Sequence, residues 1–347
     1  MNLIVINYSM SNKSMLFSHQ REVVKRLTGY FGEVVVVTAD EDKGAPISNV
    51  RIISTNWKSG SRFISSVRFM RKILPLLFKK RNSVIFSHMT EVQSAIIAPV
   101  CKLLKIRHYL WYAHNSKSIY LRWNLFFVSA IISSTPGSCP VSSKKLHLIG
   151  QGISTERYSD IATDCDLSFL RWYHVSRIDS SKKIELLIEA VQSLRIRGYK
   201  LNLDIFGLPS GVEQVRYYEW LKVRYSEFLR LGWLNFCGIL HPEVYRETLS
   251  RYGGFIHAFQ GSLDKTLVEA TLGRKFVVTL NHEYRREFGL NPGHKESELE
   301  TLVNELKEVM LMTPSQRESE IDRRWEIANS KHSLDGWINR LSDILKK

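Results

Sequence analysis

Apolar, β-branched runs of four to six residues recur along the chain, and between them apolar positions return every three or four residues. Runs that are apolar on both faces of a strand belong to parallel sheets covered on both sides by helices. In the first half these runs are NLIVIN (2–7), EVVVVT (33–38), VRII (50–53), SVIFS (83–87), HYLWY (108–112) and AIISS (130–134). Helical spacing lies between them, as in FSHQREVVKRL (17–27) and EVQSAIIAPVCKLL (91–104). In the second half RWYHVS (171–176), LNLDIF (201–206), LNFC (234–237), GFIHAF (254–259) and FVVTL (276–280) alternate with KKIELLIEAVQSL (182–194), PEVYRETLS (242–250) and LDKTLVEATL (263–272). The alternation predicts two Rossmann-like α/β domains. The polar stretch STERYSDIATDCD, near residues 150–165, marks the joint and divides the chain into domains 1–155 and 156–330. In the closing segment 331–347, LDGWINRLSDIL (334–345) is an amphipathic helix with no strand after it, free to return to the first domain.

The chain has 347 residues, enough for two cores at about 150 residues per domain. With 44% apolar and 24% charged residues it has the composition of a folded globular protein. No apolar run approaches the ~18 residues that span a bilayer, and LFFVSAII (125–132) is too short. The opening NLIVIN has no basic region or small-residue cleavage site before it, so no signal peptide is expected. Cys101, Cys139, Cys165 and Cys237 show no paired spacing and predict neither a zinc site nor a disulfide framework. The expectation is a soluble or peripheral protein of a reducing, cytoplasmic compartment.

The charge is unevenly distributed along the chain. The formal net charge is +15, and residues 1–150 carry all of it, with 21 Lys and Arg against 6 Asp and Glu. The remainder balances 28 basic against 28 acidic residues, and Glu91 is the only acid between Asp42 and Glu156. The basic half should therefore meet an anionic partner: a membrane surface, a phosphorylated substrate or nucleic acid. SRFISSVRFMRKILPLLFKKR (61–81) holds seven basic residues and no acid, with Phe63, Ile64, Val67, Met70, Ile73, Leu74 and Leu77 at helical spacing. Pro75 is expected to bend or end that helix. The segment fits an interfacial helix on anionic lipid, and equally a sheet-covering helix with a solvated basic face.

Two turns carry candidate chemistry. In GSLDKTLVEATLGRKFVV (261–278), Gly261 lets backbone approach a ligand, Asp264 or Ser262 can cap a helix, and the amides of Lys265, Thr266 and Leu267 can face a phosphate. Lys265 adds a charge, and Glu269, one turn on, can accept two hydrogen bonds from a ribose diol. In RWYHVSRIDSSKKIELLIEA, Arg177 and Lys182 follow a strand and suit a diphosphate, the one as a fork and the other as a point charge. FGLPSG (206–211) adds a glycine turn at Gly207, where a base or phosphate could approach.

Together these stretches resemble the retaining, nucleotide-sugar-dependent glycosyltransferases of family 4. The resemblance runs in order over about residues 108–280, through WYAHNSK (111–117), IGQGISTERY (149–158), VSRIDSSKKIELLIEA (175–190), LDIFGLPSG (203–211), LNFCGILHPEVYRETL (234–249) and the 261–278 stretch. It implies the GT-B architecture, two Rossmann-like α/β domains facing a central cleft, the first on the acceptor side and the second holding the donor. It also implies that Arg177 and Lys182 hold the donor diphosphate, that Glu269 binds the ribose hydroxyls and that His114 contacts the donor sugar. Gly261 stands where the family has the first of two glutamates, so sugar contacts fall to backbone near Gln260–Ser262, to Asp264 or to Lys265. SNKSMLFSHQ (11–20) also lacks the family's Gly-Gly loop.

The expected reaction is metal-independent transfer, with retention, from a UDP- or GDP-type sugar to an acceptor hydroxyl, with cations and helix amides neutralising the leaving diphosphate. The basic first domain suggests a lipid-linked glycan acceptor at the inner face of the cytoplasmic membrane, in lipopolysaccharide, O-antigen or other surface polysaccharide synthesis. Three other readings compete. They are a nucleotide-sugar epimerase of the same fold, a non-catalytic nucleotide-sugar binder, and a nucleic-acid-binding protein, whose stacking aromatics the basic run lacks.

Overall fold

The computed structural model describes residues 1–11, 17–40, 42–158, 167–241, 244–291 and 296–347. Residues 12–16 of the 11–20 segment, the start of the 242–250 pattern and Cys165 lie outside the described residues. The chain divides into two compact units, one of residues 1–152 with 334–347 and one of residues 153–333.

The first unit is built on a seven-stranded parallel sheet. Its elements run β1 (Asn2–Asn7), α1 (Ser18–Leu27), β2 (Val34–Thr38), β3 (Val50–Ser54), α2 (Arg62–Lys79), β4 (Ser83–His88), α3 (Glu91–Leu103), β5 (His108–Trp111), α4 (Ile119–Phe127), β6 (Ala130–Ser133) and β7 (Leu146–Leu148). The strand order is β3-β2-β1-β4-β5-β6-β7, so the winding reverses between β1 and β4. Strand side chains alternate between faces, and β1, β2, β4, β5 and β6 are buried on both. Leu3 and Val5 pack in one core with the chain's last helix, Leu334–Lys346, whereas Ile4 and Ile6 pack in another with Phe69, Ile73 and Leu77 of α2. Helix α2 runs through Pro75 to Lys79 rather than ending there. Its buried face is Ser65, Phe69, Ile73, Leu76 and Leu77, so the helix covers the sheet, and Phe63, Ile64 and Val67 are left exposed.

The second unit holds a five-stranded parallel sheet. It contains β8 (Arg171–Val175), α5 (Ile184–Ile196), β9 (Asn202–Phe206), α6 (Val212–Arg224), α7 (Ser226–Arg230), β10 (Leu234–Gly238), α8 (Tyr245–Ser250), β11 (Gly254–His257), α9 (Lys265–Leu272), β12 (Phe276–Thr279), α10 (His282–Glu287), α11 (Glu298–Leu311) and α12 (Pro314–His332). Its order, β10-β9-β8-β11-β12, reverses between β8 and β11. Trp172 and Ile256 point into a core shared with α5 and α11, and Tyr173 and Phe255 point into the opposite core with α9. Ser297 with Glu300 and Thr313 with Gln316 form capping boxes that start α11 and α12, each closing two orphan amides. The last helix, α13 (Leu334–Lys346), packs on α1 in the first unit.

Candidate functional site

In an open parallel sheet a ligand sits beyond the carboxyl ends of the strands where the winding reverses. In the second unit that crevice lies between the ends of β8 and β11, and these are the ends that carry the two turns singled out in the sequence.

Beyond β8 the chain runs through Ser176 and Arg177 into a short 3-10 turn, Ser180–Lys182. Asp179 caps this turn by accepting from the Ser181 amide at 2.9 Å and its hydroxyl at 2.6 Å. Those bonds, from the Ser181 hydroxyl first, hold its carboxyl below the ordinary range. Lys183 then adopts a left-handed conformation (φ 51°) that turns the chain into α5. Arg177 is exposed and has no ion pair among the described residues. Gly207, at the end of β9, has φ +140°, and a Cβ there would lie 1.7 Å from the Ser176 carbonyl oxygen. The glycine is what lets the β9 turn close against the end of β8.

Beyond β11, Asp264 caps α9 through Thr266, whose amide donates to Oδ1 at 3.4 Å and whose hydroxyl donates at 3.2 Å. The Leu267 amide donates to the Asp264 carbonyl at 3.2 Å. Two of the three amides expected to face a phosphate are thus already engaged by Asp264. Leu267 itself is buried in the core. Glu269 sits one turn further on, half-buried, with the Lys265 ammonium 3.4 Å from its carboxylate.

The two turns meet through side chains. Lys182 Nζ lies 2.6 Å from Asp264 Oδ2 and 4.0 Å from the centre of the Phe259 ring. His257 Nε2 lies 3.3 Å from the same Asp264 oxygen, and its Nδ1 is 3.2 Å from the Thr279 hydroxyl. Burial works against an ionised Asp264, but the His257 hydrogen bond and the Lys182 charge prevail and hold its carboxyl far below the ordinary range. His174, at the end of β8, is fully buried, and burial pushes its ring down to about 3. The neutral ring donates from Nδ1 to the Ile256 carbonyl at 2.8 Å, which leaves Nε2 facing the Ser176 hydroxyl at 2.8 Å.

Gly261 and Ser262 lie in the loop between β11 and α9, and Asn281 holds that loop. Its Nδ2 donates to the carbonyls of Phe259 (3.0 Å), Ser262 (3.1 Å) and Gly261 (3.4 Å), and its Oδ1 caps α10 by accepting from the Tyr284 amide at 2.9 Å. A Cβ at Gly261 would come 2.1 Å from the Phe259 ring, so that ring occupies the space a side chain there would need.

Arg177, Lys182, Gly207, Gly261, Ser262, Asp264, Lys265, Thr266, Leu267 and Glu269 are all carried by the second unit, on turns and a helix start that follow β8, β9 and β11. His114 belongs to the first unit, exposed in the loop after β5, with its ring edge-on to Tyr112 at 5.7 Å. The sequence reading missed His174, His257, Phe259 and Asn281. The one local signal was an asparagine directly after an apolar run, the position of a helix N-cap.

No family model matches the sequence, and no curated protein matches it. Solved structures do match. Anabaena HepE, solved in complex with UDP and glucose, is 14% identical with a TM-score of 0.74, covering 100% of both chains. Sucrose-phosphate synthase from Thermosynechococcus elongatus is 12% identical with a TM-score of 0.77, covering 100% of this chain and 98% of its own. A glycosyltransferase from Rickettsia africae is 12% identical with a TM-score of 0.74, covering 99% of this chain and 98% of its own. At these identities the likeness is one of fold, and with its two parallel-sheet α/β domains of seven and five strands the chain has the GT-B glycosyltransferase fold.

Proposed function

We propose that the protein is a glycosyltransferase that takes its donor, a nucleoside-diphosphate sugar, at the β8–β11 crevice. The observation that carries this reading is the set of groups at that crevice: Arg177, which has no ion pair among the described residues, Lys182 on the same turn, a helix start, and Glu269 one turn into the helix. Cations at a strand end neutralise a leaving diphosphate, and a carboxylate on the helix accepts from a ribose diol. The matched HepE structures hold UDP, UDP with glucose, or UDP-glucose, which supports a uridine nucleotide, with GDP as the alternative.

In the proposed reaction the bond between the anomeric carbon and the leaving phosphate oxygen breaks as the acceptor oxygen bonds to the same face, giving retention. The acceptor proton passes to the departing phosphate or to solvent. Arg177 takes the developing charge directly. Lys182 must share itself between the diphosphate and Asp264. Asp264 is the first carboxylate in sequence after Gly261, and it accepts a hydrogen bond from a hydroxyl of the donor sugar. His114, in the first unit, is proposed to contact the transferred sugar. Arg177, Lys182 and the Lys265 amide do the neutralising, without a metal.

On the acceptor side, the acid-poor first unit favours a lipid-linked glycan at the cytoplasmic face of the membrane, with residues 61–81 on anionic lipid. Phe63, Ile64 and Val67 are available for this because they are exposed. Among the described residues no helix is long and apolar enough to cross a membrane, so the attachment would be peripheral. Synthesis of lipopolysaccharide, O-antigen or a related surface polysaccharide fits that placement.

The Phe259 ring beside Gly261 supports a second reading, a non-catalytic nucleotide-sugar binder. Turnover separates the two. A panel of UDP- and GDP-sugars, assayed for sugar transfer to a bacterial membrane extract, should reveal one donor, and Arg177→Ala should lose most of that transfer while keeping its fold. Near-normal transfer by the variant would sink the assignment of the site, and binding without transfer by the native protein would favour the second reading.

A further inference from the structure

The first unit carries an open cavity of about 640 Å³ at its β3 edge, remote in sequence from every residue of the donor site. Lys43, Arg51, Arg68 and Lys72 line it around the backbone of β3 and Asn56, and among the described residues no carboxylate contributes to its wall. None of the four cations has an ion pair among the described residues. Two of them are fixed in place: Arg68 Nη1 donates to the Asn56 carbonyl at 2.8 Å, and Lys72 Nζ donates to the Ser54 carbonyl. Asn56 holds a left-handed backbone (φ 47°) where the chain leaves the strand. Four like charges around one concavity repel, and a group carrying two negative charges removes that repulsion.

The neighbouring surface indicates where that group comes from. Ile64, Arg68 and Lys72 are spaced by four along α2, as are Phe63, Val67 and Arg71, so two adjacent helical stripes begin apolar and end cationic. Phe63 is 82% exposed, Ile64 60% and Val67 46%, which is unusual for adjacent large apolar side chains on one helix face. Apolar side chains beside a cationic concavity complement an acyl region beside a phosphate.

We propose that this cavity is a headgroup site for an acidic lipid bearing a phosphomonoester, with Arg68 and Lys72 on the phosphate and the first turns of α2 in the lipid surface. The proposal rests on the membrane reading of residues 61–81 and gives it a chemical preference that general electrostatic attraction lacks. A diffuse basic surface responds to the density of charge, whereas a lined cavity responds to the group that carries it.

The test is flotation of the full chain with vesicles of matched surface charge, in which the acidic lipid is either a phosphomonoester or a phosphodiester. The native protein should prefer the phosphomonoester by about fivefold or more, roughly the worth of one surface cation at ~1 kcal/mol. Arg68→Gln with Lys72→Gln should bring the preference to unity. Arg71→Gln with Lys79→Gln removes the same charge from outside the cavity, and should weaken binding to both vesicles while leaving the preference intact. Arg51→Gln, away from α2, should reduce the preference in the same direction, and melting curves show that each variant is folded. Equal loss of preference in both double variants, or no preference in the native protein, overturns the cavity while leaving membrane docking standing. Absence of vesicle binding at low salt overturns both. If glycerol 3-phosphate or inorganic phosphate protects the cavity but vesicles do not bind, the site serves a soluble phosphate and the lipid assignment fails. None of these outcomes depends on donor turnover.

Discussion

Lys182 Nζ stands 2.6 Å from Asp264 Oδ2, joining the turn after β8 to the helix start after β11 across 82 residues of sequence. One of the two cations proposed to hold the diphosphate is therefore already engaged, by the carboxylate that caps the helix. In the proposed site a donor would compete for Lys182, and Asp264 would be left to meet the sugar. Asp264→Asn should then separate binding from turnover. Free UDP should bind about tenfold tighter, roughly 1.4 kcal/mol, because Lys182 is released, while transfer falls. Titration calorimetry and initial rates check the split, and parallel changes in both would contradict it.

The same pair sets a pH dependence. The Asp264 carboxyl is held far below its ordinary range in the folded protein. Its contribution to stability is complete above the unfolded value of about 4 and is lost as pH falls from there towards the folded value. Asp264→Asn should cost about 3 kcal/mol at neutral pH, and the gap between the two melting temperatures should close below about pH 4. A gap unchanged down to pH 3 would show that the charge of Asp264 is not what the fold uses.

Asn281 holds the Phe259–Ser262 loop through three carbonyls. Asn281→Ala removes the shared donor and the cap of α10 together, at about 2 kcal/mol. Because the loop borders the proposed donor site, transfer should fall about tenfold beyond what unfolding explains, equivalent to roughly 1.4 kcal/mol of positioning. Rates measured well below the melting transition distinguish the two effects.

Gly207→Ala places a methyl group against the Ser176 carbonyl, 1.7 Å from its oxygen, on a backbone with φ +140°. Neither strain can relax without moving the end of β8. A loss of about 3 kcal/mol or more is expected in denaturant titration, and a variant of native stability would mean that the β8 and β9 turns are not packed as described.

Glu91 is a different kind of acid. It stands at the start of α3, and its Oε2 is buried with no hydrogen-bond partner among the described residues. Burial raises its pKa, against the opposing hydrogen bond from Ser118. An acid whose folded pKa is raised destabilises the protein above that pKa and is neutral below the unfolded value of about 4.3. Glu91→Gln should therefore raise the melting temperature at pH 7 to 8 and leave it unchanged near pH 4. A lower melting temperature at neutral pH would indicate that the charge has a partner it depends on.

Most of the fold could be read from periodicity alone, because parallel strands covered on both faces leave continuous apolar runs. NLIVIN became β1 with both faces buried, and GFIHAF became β11. Strand β7 escaped notice because LHL is only three residues long and two of them are exposed. Helix α12 escaped because its mean hydropathy is low and its buried positions include Arg317 and Arg324. The local halves of the site were visible too: Asp264 as a cap, and Arg177 with Lys182 after a strand. What joins them was not. Lys182 meets Asp264, and Asn281 meets the Phe259 carbonyl, only because the sheet order sets β8 beside β11 and β11 beside β12. That adjacency leaves no trace in local spacing.

The most direct measurement is a melting-temperature and fluorescence titration with UDP, GDP, ADP and CMP on the native protein, Arg177→Ala and Glu269→Ala. One nucleoside diphosphate should stabilise the native chain by about 2.7 kcal/mol at a hundredfold excess over its Kd, and both variants should lose that response while keeping their folded baseline. If no nucleotide shifts the native protein, or if the shift survives both substitutions, the β8–β11 crevice is not a nucleotide-sugar site.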